Sequence, residues 1–219
     1  MKSYLISVVL SVVMAGLAAP VAAETCAPAK LVRIVVANVT PGVAASSFGG
    51  QPKTYYRIGS DKLRIEEALD VANGIHGTVV ISEPNIWIAN LYDKTGKHIV
   101  DPGPTFFARA PVFGTDLKGK LIRLEFGCEE DFFASNAPKP VRLEQVGNTQ
   151  YNVYRVDDDA EAIEMLERPG ARTPVFARYY RQGRLVMALH YGLYQTGLPN
   201  DPALFLPPPN IQYAEESQH

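Results

Sequence analysis

The side chains with chemistry to offer are four histidines, two cysteines and a few acidic clusters, and their spacing assembles no reaction. His76, His98, His190 and His219 lie in no zinc-ligand spacing, and neither cysteine is near any of them. His98 and His190 fall inside apolar runs and read as packing or surface residues. Asp157-Asp158-Asp159 lacks the glycine and distal glutamate of a calcium loop, so it reads as the cap of a helix. Glu129-Glu130-Asp131, ahead of Phe132-Phe133, reads as a solvated turn. Glu66 and Glu67 are neighbours on an expected strand and point to opposite faces, so they cannot share a substrate as a carboxylate pair. Ser46-Ser47 has no histidine or lysine context, and no Gly-x-Ser-x-Gly elbow occurs. Asn73-Gly74-Ile75-His76-Gly77 is a turn entering a strand rather than a nucleotide loop. The residues therefore assign no catalytic group, no metal and no cofactor, and the chain reads as a non-enzymatic protein.

Compartment is the next constraint. Met1-Lys2-Ser3, an apolar run from Tyr4 to Ala19, and small residues at Val21-Ala22-Ala23 form the pattern of a signal peptide cleaved after Ala23. The rival, an uncleaved membrane anchor, is disfavoured by the short run and by Gly16 and Pro20. Cys26 is not preceded by a lipobox. Residues 24–219 remain as one domain, with enough chain for a core. The formal net charge of −2 gives no footprint for nucleic acid or an anionic membrane, and no second long apolar segment marks an integral membrane protein. In an exported chain, Cys26 and Cys128 point to a disulfide closing a loop of about 100 residues, which the chain-entropy model values at about 4–5 kcal/mol. The alternative is two buried thiols. A bridge would leave no thiolate for catalysis.

The elements that would position any site are strands. Lys30–Val39 is β-branched and nearly continuous in apolar character. Thr40–Lys53, with Pro41, Gly42, Gly49, Gly50 and Pro52, reads as a mobile loop, more commonly a plain disordered connection than a lid over what the sheet encloses. From Thr54 to Val100 short connections join Tyr55–Ile58, Lys62–Glu67, Gly77–Ser82, Ile86–Tyr92 and Lys97–Val100, so these strands pair antiparallel. The Ile86–Tyr92 run is apolar on both sides and predicts cover on both faces. Asp93–Gly96 suits a turn closed by a glycine of positive φ. Leu121–Cys128 alternates as a strand, as do Val141–Glu144 and Tyr151–Val156. Asp157–Arg168 predicts the single helix, stopped by Pro169-Gly170. Strands return at Pro174–Arg181 and Arg184–Tyr194, a proline-fixed stretch follows, and Ala214–His219 is a polar tail. The expectation is a mainly β (α+β) fold of about nine strands and one short helix, built as a curved antiparallel sheet or unclosed β-barrel.

A strongly curved sheet with one helix has little to fill its concave side, which predicts an apolar cavity. Its candidate walls are Tyr56, Ile58, Leu63, Ile65, Trp87, Ile88, Phe106 and Tyr191. For each of them the alternative is an ordinary core.

The stretch Tyr55-Tyr56-Arg57-Ile58-Gly59-Ser60-Asp61-Lys62-Leu63-Arg64-Ile65-Glu66 resembles a hairpin of exported LolA-like bacterial proteins. The hairpin within Pro174–Tyr194, followed by Asp201-Pro202-Ala203-Leu204-Phe205 and prolines, is similar to how those chains end. The resemblance covers about two-thirds of the mature chain in order of elements. It implies an unclosed β-barrel in the periplasm that binds a lipid or lipoprotein. Those carriers close their cavity with several helices, whereas this chain offers one, and no lid arginine carries over. Two other readings stand beside this one: an envelope module that docks a protein partner without a ligand, and an exported enzyme.

Overall fold

In the computed structural model, residues 26–101, 108–114 and 117–217 are described. The leader read in residues 1–23 and the aromatic Phe106 lie outside them. Twelve strands form one curved, unclosed sheet. They are β1 (Leu31–Asn38), β2 (Lys53–Ile58), β3 (Lys62–Glu67), β4 (Gly77–Ser82), β5 (Asn85–Asn90), β6 (Thr95–Val100), β7 (Arg142–Val146), β8 (Thr149–Asp158), β9 (Glu161–Glu167), β10 (Pro174–Arg181), β11 (Arg184–Leu198) and β12 (Gln212–Ser217). The order across the sheet is β12-β6-β5-β4-β3-β2-β1-β11-β10-β9-β8-β7. Two antiparallel meanders thus meet where β1 pairs with β11. The meander read from the short connections is present strand for strand.

Four expectations are corrected. Asp157–Arg168 is not a helix: β8 runs to Asp158, the chain turns at Asp159 (φ 52°), and β9 lies between β8 and β10. Ala162, Met165 and Leu166 favour helix intrinsically, but two flanking strands and burial along almost the whole segment override that preference. Among the described residues the single α-helix, α1, is Glu129–Asn136, begun by the three acids read as a solvated turn. Leu121–Cys128 is not a strand. A 3-10 turn at Leu121–Arg123 buries Leu121 and Leu124 completely, a period of three rather than two. The positive φ of the Asp93–Gly96 turn belongs to Lys94, at 63°. Gly96 serves the strand instead, because a Cβ there would lie 2.9 Å from the Tyr213 ring.

The C-terminal segment supplies the remaining difference. Leaving β11 at the middle of the sheet, the chain passes over β3 and β4 through the 3-10 turn Pro202–Phe205. There Arg64 Nη1 donates to the Leu204 carbonyl at 3.2 Å, and Phe205 is buried. The polar tail then becomes β12, pairing parallel to β6 at the far edge. Its backbone ladder is supported by the ion pair Lys97–Glu216 and by the hydrogen bond between His98 Nδ1 and Glu215.

The cysteines form the bridge read from export, with Cα atoms 5.9 Å apart. It joins the segment before β1 to the residue that precedes α1.

Candidate functional site

Strand alternation divides the sheet into two faces, and the cross-strand register shows what each carries. The concave face presents Val32, Ile34 and Val36 from β1, Tyr55 and Arg57 from β2, Leu63 and Ile65 from β3, and Tyr191 and Tyr194 from β11. Over it lie residues 108–114, 117–128 and α1, whose Val112, Phe113, Leu121, Leu124, Phe126 and Phe133 share the buried core with the strands. Tyr55 stacks on Phe126 with ring centroids 4.1 Å apart, and Phe113 meets Tyr179 at 5.6 Å. The middle of the concave side is therefore filled by the chain's own inserted segment.

Polar groups inside this packing are consumed by partners. Arg57 reaches Glu125 at 2.8 Å and also donates to the carbonyls of Cys26 (3.0 Å) and Phe126 (3.3 Å), pinning the inserted segment and the disulfide to β2. Glu129 is 1% exposed. It accepts from the Gly127 N–H at 2.7 Å and from the hydroxyls of Tyr194 at 2.9 Å and Tyr191 at 3.1 Å. Burial pushes its carboxyl up to about 7, against the lowering pull of those hydrogen bonds. Burial, and then the Glu129 charge, raise both tyrosine hydroxyls above their ordinary range. Glu167, also buried, is raised to about 7 by burial and by the charge of Glu130.

On the convex side of β7–β10, Glu164 is buried among arginines. Arg142 grips it at 2.8 and 3.0 Å, Arg155 at 3.0 Å, and the Tyr180 hydroxyl donates at 3.0 Å. Burial opposes its charge, but hydrogen bonds from Arg142 and Arg155 outweigh that and hold the carboxyl below the usual range. This ladder explains how a glutamate can sit within β9. Among the described residues no group of three metal-ligating side chains occurs. His98 is held by Glu215 and Asn85, and His190 lies 4.9 Å from the Phe176 ring.

What remains open is the wing formed by β4, β5 and β6. On its convex face the C-terminal segment lies over β4, where Thr78 and Val80 are buried, as is Ala89 of β5. On its concave face the register aligns Ile65, Val79 and Ile88 in one row and Leu63, Ile81, Ile86 and Ile99 in the next. Val79, Ile81, Ile86 and Ile99 are only partly buried, and Ile88 is 43% exposed. The expectation of cover on both faces of β5 thus fails on the concave face. The result is an aliphatic shelf continuous with the core. Two small cavities flank the filled middle. One, of about 250 Å³, lies beside Cys128 and Tyr194, and the other, of about 180 Å³, lies beneath the loop before β2.

The expected cavity walls separate by face. Leu63, Ile65, Ile88 and Tyr191 are concave, with Tyr191 and Leu63 buried in the core and Ile88 on the shelf. Tyr56, Ile58 and Trp87 lie on the convex face, where Trp87 stacks on His98 at 5.3 Å and the Arg33 guanidinium stands over Tyr56. Concave Tyr55 and shelf residues Ile86 and Ile99 were missing from that set of walls. Alternation would have found them, since Tyr55 pairs with Ile65 and Ile99 with Ile86.

No protein-family model matches the sequence, and no curated protein matches it. Solved structures do match. An uncharacterized conserved protein from Thermus thermophilus is similar at 9% identity over 86% of this chain and 91% of that one, with a TM-score of 0.48. MucB in the Pseudomonas aeruginosa MucA/MucB complex is similar at 12% identity over 84% of this chain, which spans 57% of the matched chain, with a TM-score of 0.39. A LolA superfamily protein from Nitrosomonas europaea matches at 10% identity over 82% of this chain and 90% of that one, with a TM-score of 0.34. The resemblance read from the hairpin Tyr55–Glu66 is thus met by a LolA superfamily protein among the structural matches.

Proposed function

We propose that this chain is an exported, non-enzymatic binding protein of the periplasm that holds an aliphatic chain, from a lipid or a lipidated protein, on the concave shelf of β4–β6. The observation that carries this reading is the asymmetry of the wing. One face is partly covered by the protein's own C-terminal segment, which lies over β3 and β4 and leaves Thr78, Val80 and Ala89 buried, while the other presents Val79, Ile81, Ile86, Ile88 and Ile99 partly exposed. Contiguous apolar surface of this kind marks a binding site more often than isolated exposed residues do. The disulfide supports an oxidising compartment. Residues 24–219 are read as the mature domain. With the middle of the concave side filled, the ligand lies along the shelf rather than inside a barrel.

Extraction of the purified protein into organic solvent followed by mass spectrometry tests the reading. Stoichiometric acyl lipid from the native protein, reduced at least tenfold in Ile88→Lys, is expected. A lipid-free native protein that also fails to take up added phospholipid overturns it.

A second reading rests on β7. Its outer edge closes the sheet with no further strand beyond it among the described residues, and Val141 and Leu143 are each 57% exposed there. Such an edge can accept an extended segment of an envelope protein as an added strand. Cross-linking at Leu143 rather than at the shelf would favour this alternative.

A further inference from the structure

The last strand stands apart from the sheet it completes. β12 is held by a parallel ladder that runs from Gln212 opposite Thr95 to Ser217 opposite Val100. Its side chains add little to that ladder. Gln212, Ala214, Glu215 and Glu216 are exposed, and Tyr213, whose ring lies over Gly96, is half-buried. What complements β6 is charge and hydrogen bonding, with Lys97 Nζ 2.9 Å from Glu216 and His98 Nδ1 2.8 Å from Glu215. The C-terminal segment ahead of β12 is anchored independently, by buried Phe205 and by the hydrogen bond from Arg64 to the Leu204 carbonyl. β12 can therefore part from β6 while that segment stays in place.

Between the anchor and the strand the hinge is short and stiff. Pro207-Pro208-Pro209 restricts φ at successive residues, and Asn210 then turns the chain with a left-handed φ of 60°. That conformation is disfavoured for a residue with a Cβ, although asparagine tolerates it better than most. Only Asn210 and Ile211 separate the last of these prolines from Gln212, whose N–H donates to the Lys94 carbonyl at 2.9 Å. A short hinge under strain favours exchange of the element beyond it between copies of a chain.

We propose that β12 is an exchangeable strand, and that two copies of this chain pair by each laying Gln212–Ser217 along the β6 of the other. The occupant is set by what already sits there. The tail of a second copy can remake the whole parallel ladder, the Lys97–Glu216 pair and the His98–Glu215 bond, because its sequence is the same. The closed monomer and the exchanged dimer thus share their β6–β12 contacts and differ at the hinge. In the dimer Asn210 no longer has to turn the chain back onto its own sheet. Relief of the hinge favours pairing, while the loss of translational freedom opposes it and makes the dimer concentration-dependent. The exchange is reciprocal and two-fold, so it closes at two copies. It uses neither the concave shelf nor the β7 edge, and it stands whether or not either of them binds anything.

Sedimentation of the protein at rising concentration is one arm of the test, and a dimer prominent by about 100 µM is expected. A flexible Gly-Ser segment inserted between Pro209 and Asn210 lets each tail fold back freely and should weaken the dimer by about tenfold. The other arm mixes a Lys97→Cys chain with an Ala214→Cys chain, two positions that face each other across the β6–β12 ladder. Cys26 and Cys128 are already bridged and supply no competing thiol. Each chain carries half of the new bridge, so a covalent heterodimer under mild oxidation reports exchange. Ile88→Cys in place of Lys97→Cys is the control, because Ile88 lies one strand farther from β12, and it should give no such bridge. If the hinge insertion fails to fold, the cysteine mixture decides alone. A native protein that stays monomeric at about 100 µM, a dimer untouched by the insertion, or no excess of the Lys97–Ala214 bridge over the control overturns the proposal.

Discussion

Glu129→Gln should change how stability depends on pH, and the structure gives both sign and size. The carboxyl is buried at the start of α1, and burial raises it from an ordinary 4.5 to about 7 despite three hydrogen bonds. A group whose folded value is raised binds its proton more tightly in the native state. Its stabilising contribution is whole below pH 4.5 and is lost as pH rises towards 7. At about 1.36 kcal/mol per unit, the full loss is about 3 kcal/mol. Glu167 is raised to about 7 as well and acts in the same direction. Native stability should therefore fall from pH 5 with close to two protons' worth of slope, flattening above about pH 7, and Glu129→Gln should remove about half of that fall. Urea unfolding at pH 5, 6, 7 and 8 measures this. The variant should match the native protein near pH 5 and exceed it at pH 8. Parallel profiles for the two proteins, or native stability rising across this window, would refute the reasoning.

Other perturbations test other joints of the fold. Glu125→Gln leaves Arg57 buried without its carboxylate and should cost about 3–5 kcal/mol in urea unfolding, since removing one partner of a buried pair strands the other. Reduction of Cys26–Cys128, or the double serine variant, should lower stability by up to about 4.7 kcal/mol and release α1 first, seen as faster amide exchange at Phe132 and Phe133. Ending the chain at Pro209 removes β12, so Trp87 emission should shift to longer wavelength as its stacked partner His98 loses Glu215. An unchanged emission spectrum would contradict the placement of the C-terminal segment. Glu164→Leu should be far better tolerated in a chain that also carries Arg142→Leu and Arg155→Leu than alone, because the single change strands the guanidinium groups.

The meander from β2 to β6 was legible because its turns are short and its alternation is regular, two local signals that agree with the tertiary arrangement. Segments whose environment is set at long range were not. Glu161–Glu167 contains good helix formers, and only its neighbours on both sides make it a strand, with Arg142, Arg155 and Arg178 converging on Glu164. Glu129 looked solvated because three successive acids ordinarily are, and its partners Tyr191 and Tyr194 lie more than sixty residues away. The parallel pairing of β12 has no apolar signature at all, since its support is backbone ladder and surface charge. At the site, alternation assigns Ile65, Ile86, Ile88 and Ile99 to one face. What a sequence cannot show is that residues 108–114 and 117–128 fill the centre of the concave side and leave the wing uncovered.

The central claim is that the wing, and not the filled centre, receives an aliphatic chain. Isoleucine methyl resonances measured while a short-chain phospholipid is added below its micelle concentration test it most directly. The account predicts saturable shifts at Ile86, Ile88 and Ile99, with Ile34 and Ile163, buried in the core, unmoved. Shifts confined to the core isoleucines, or none at the wing at saturating lipid, would contradict it.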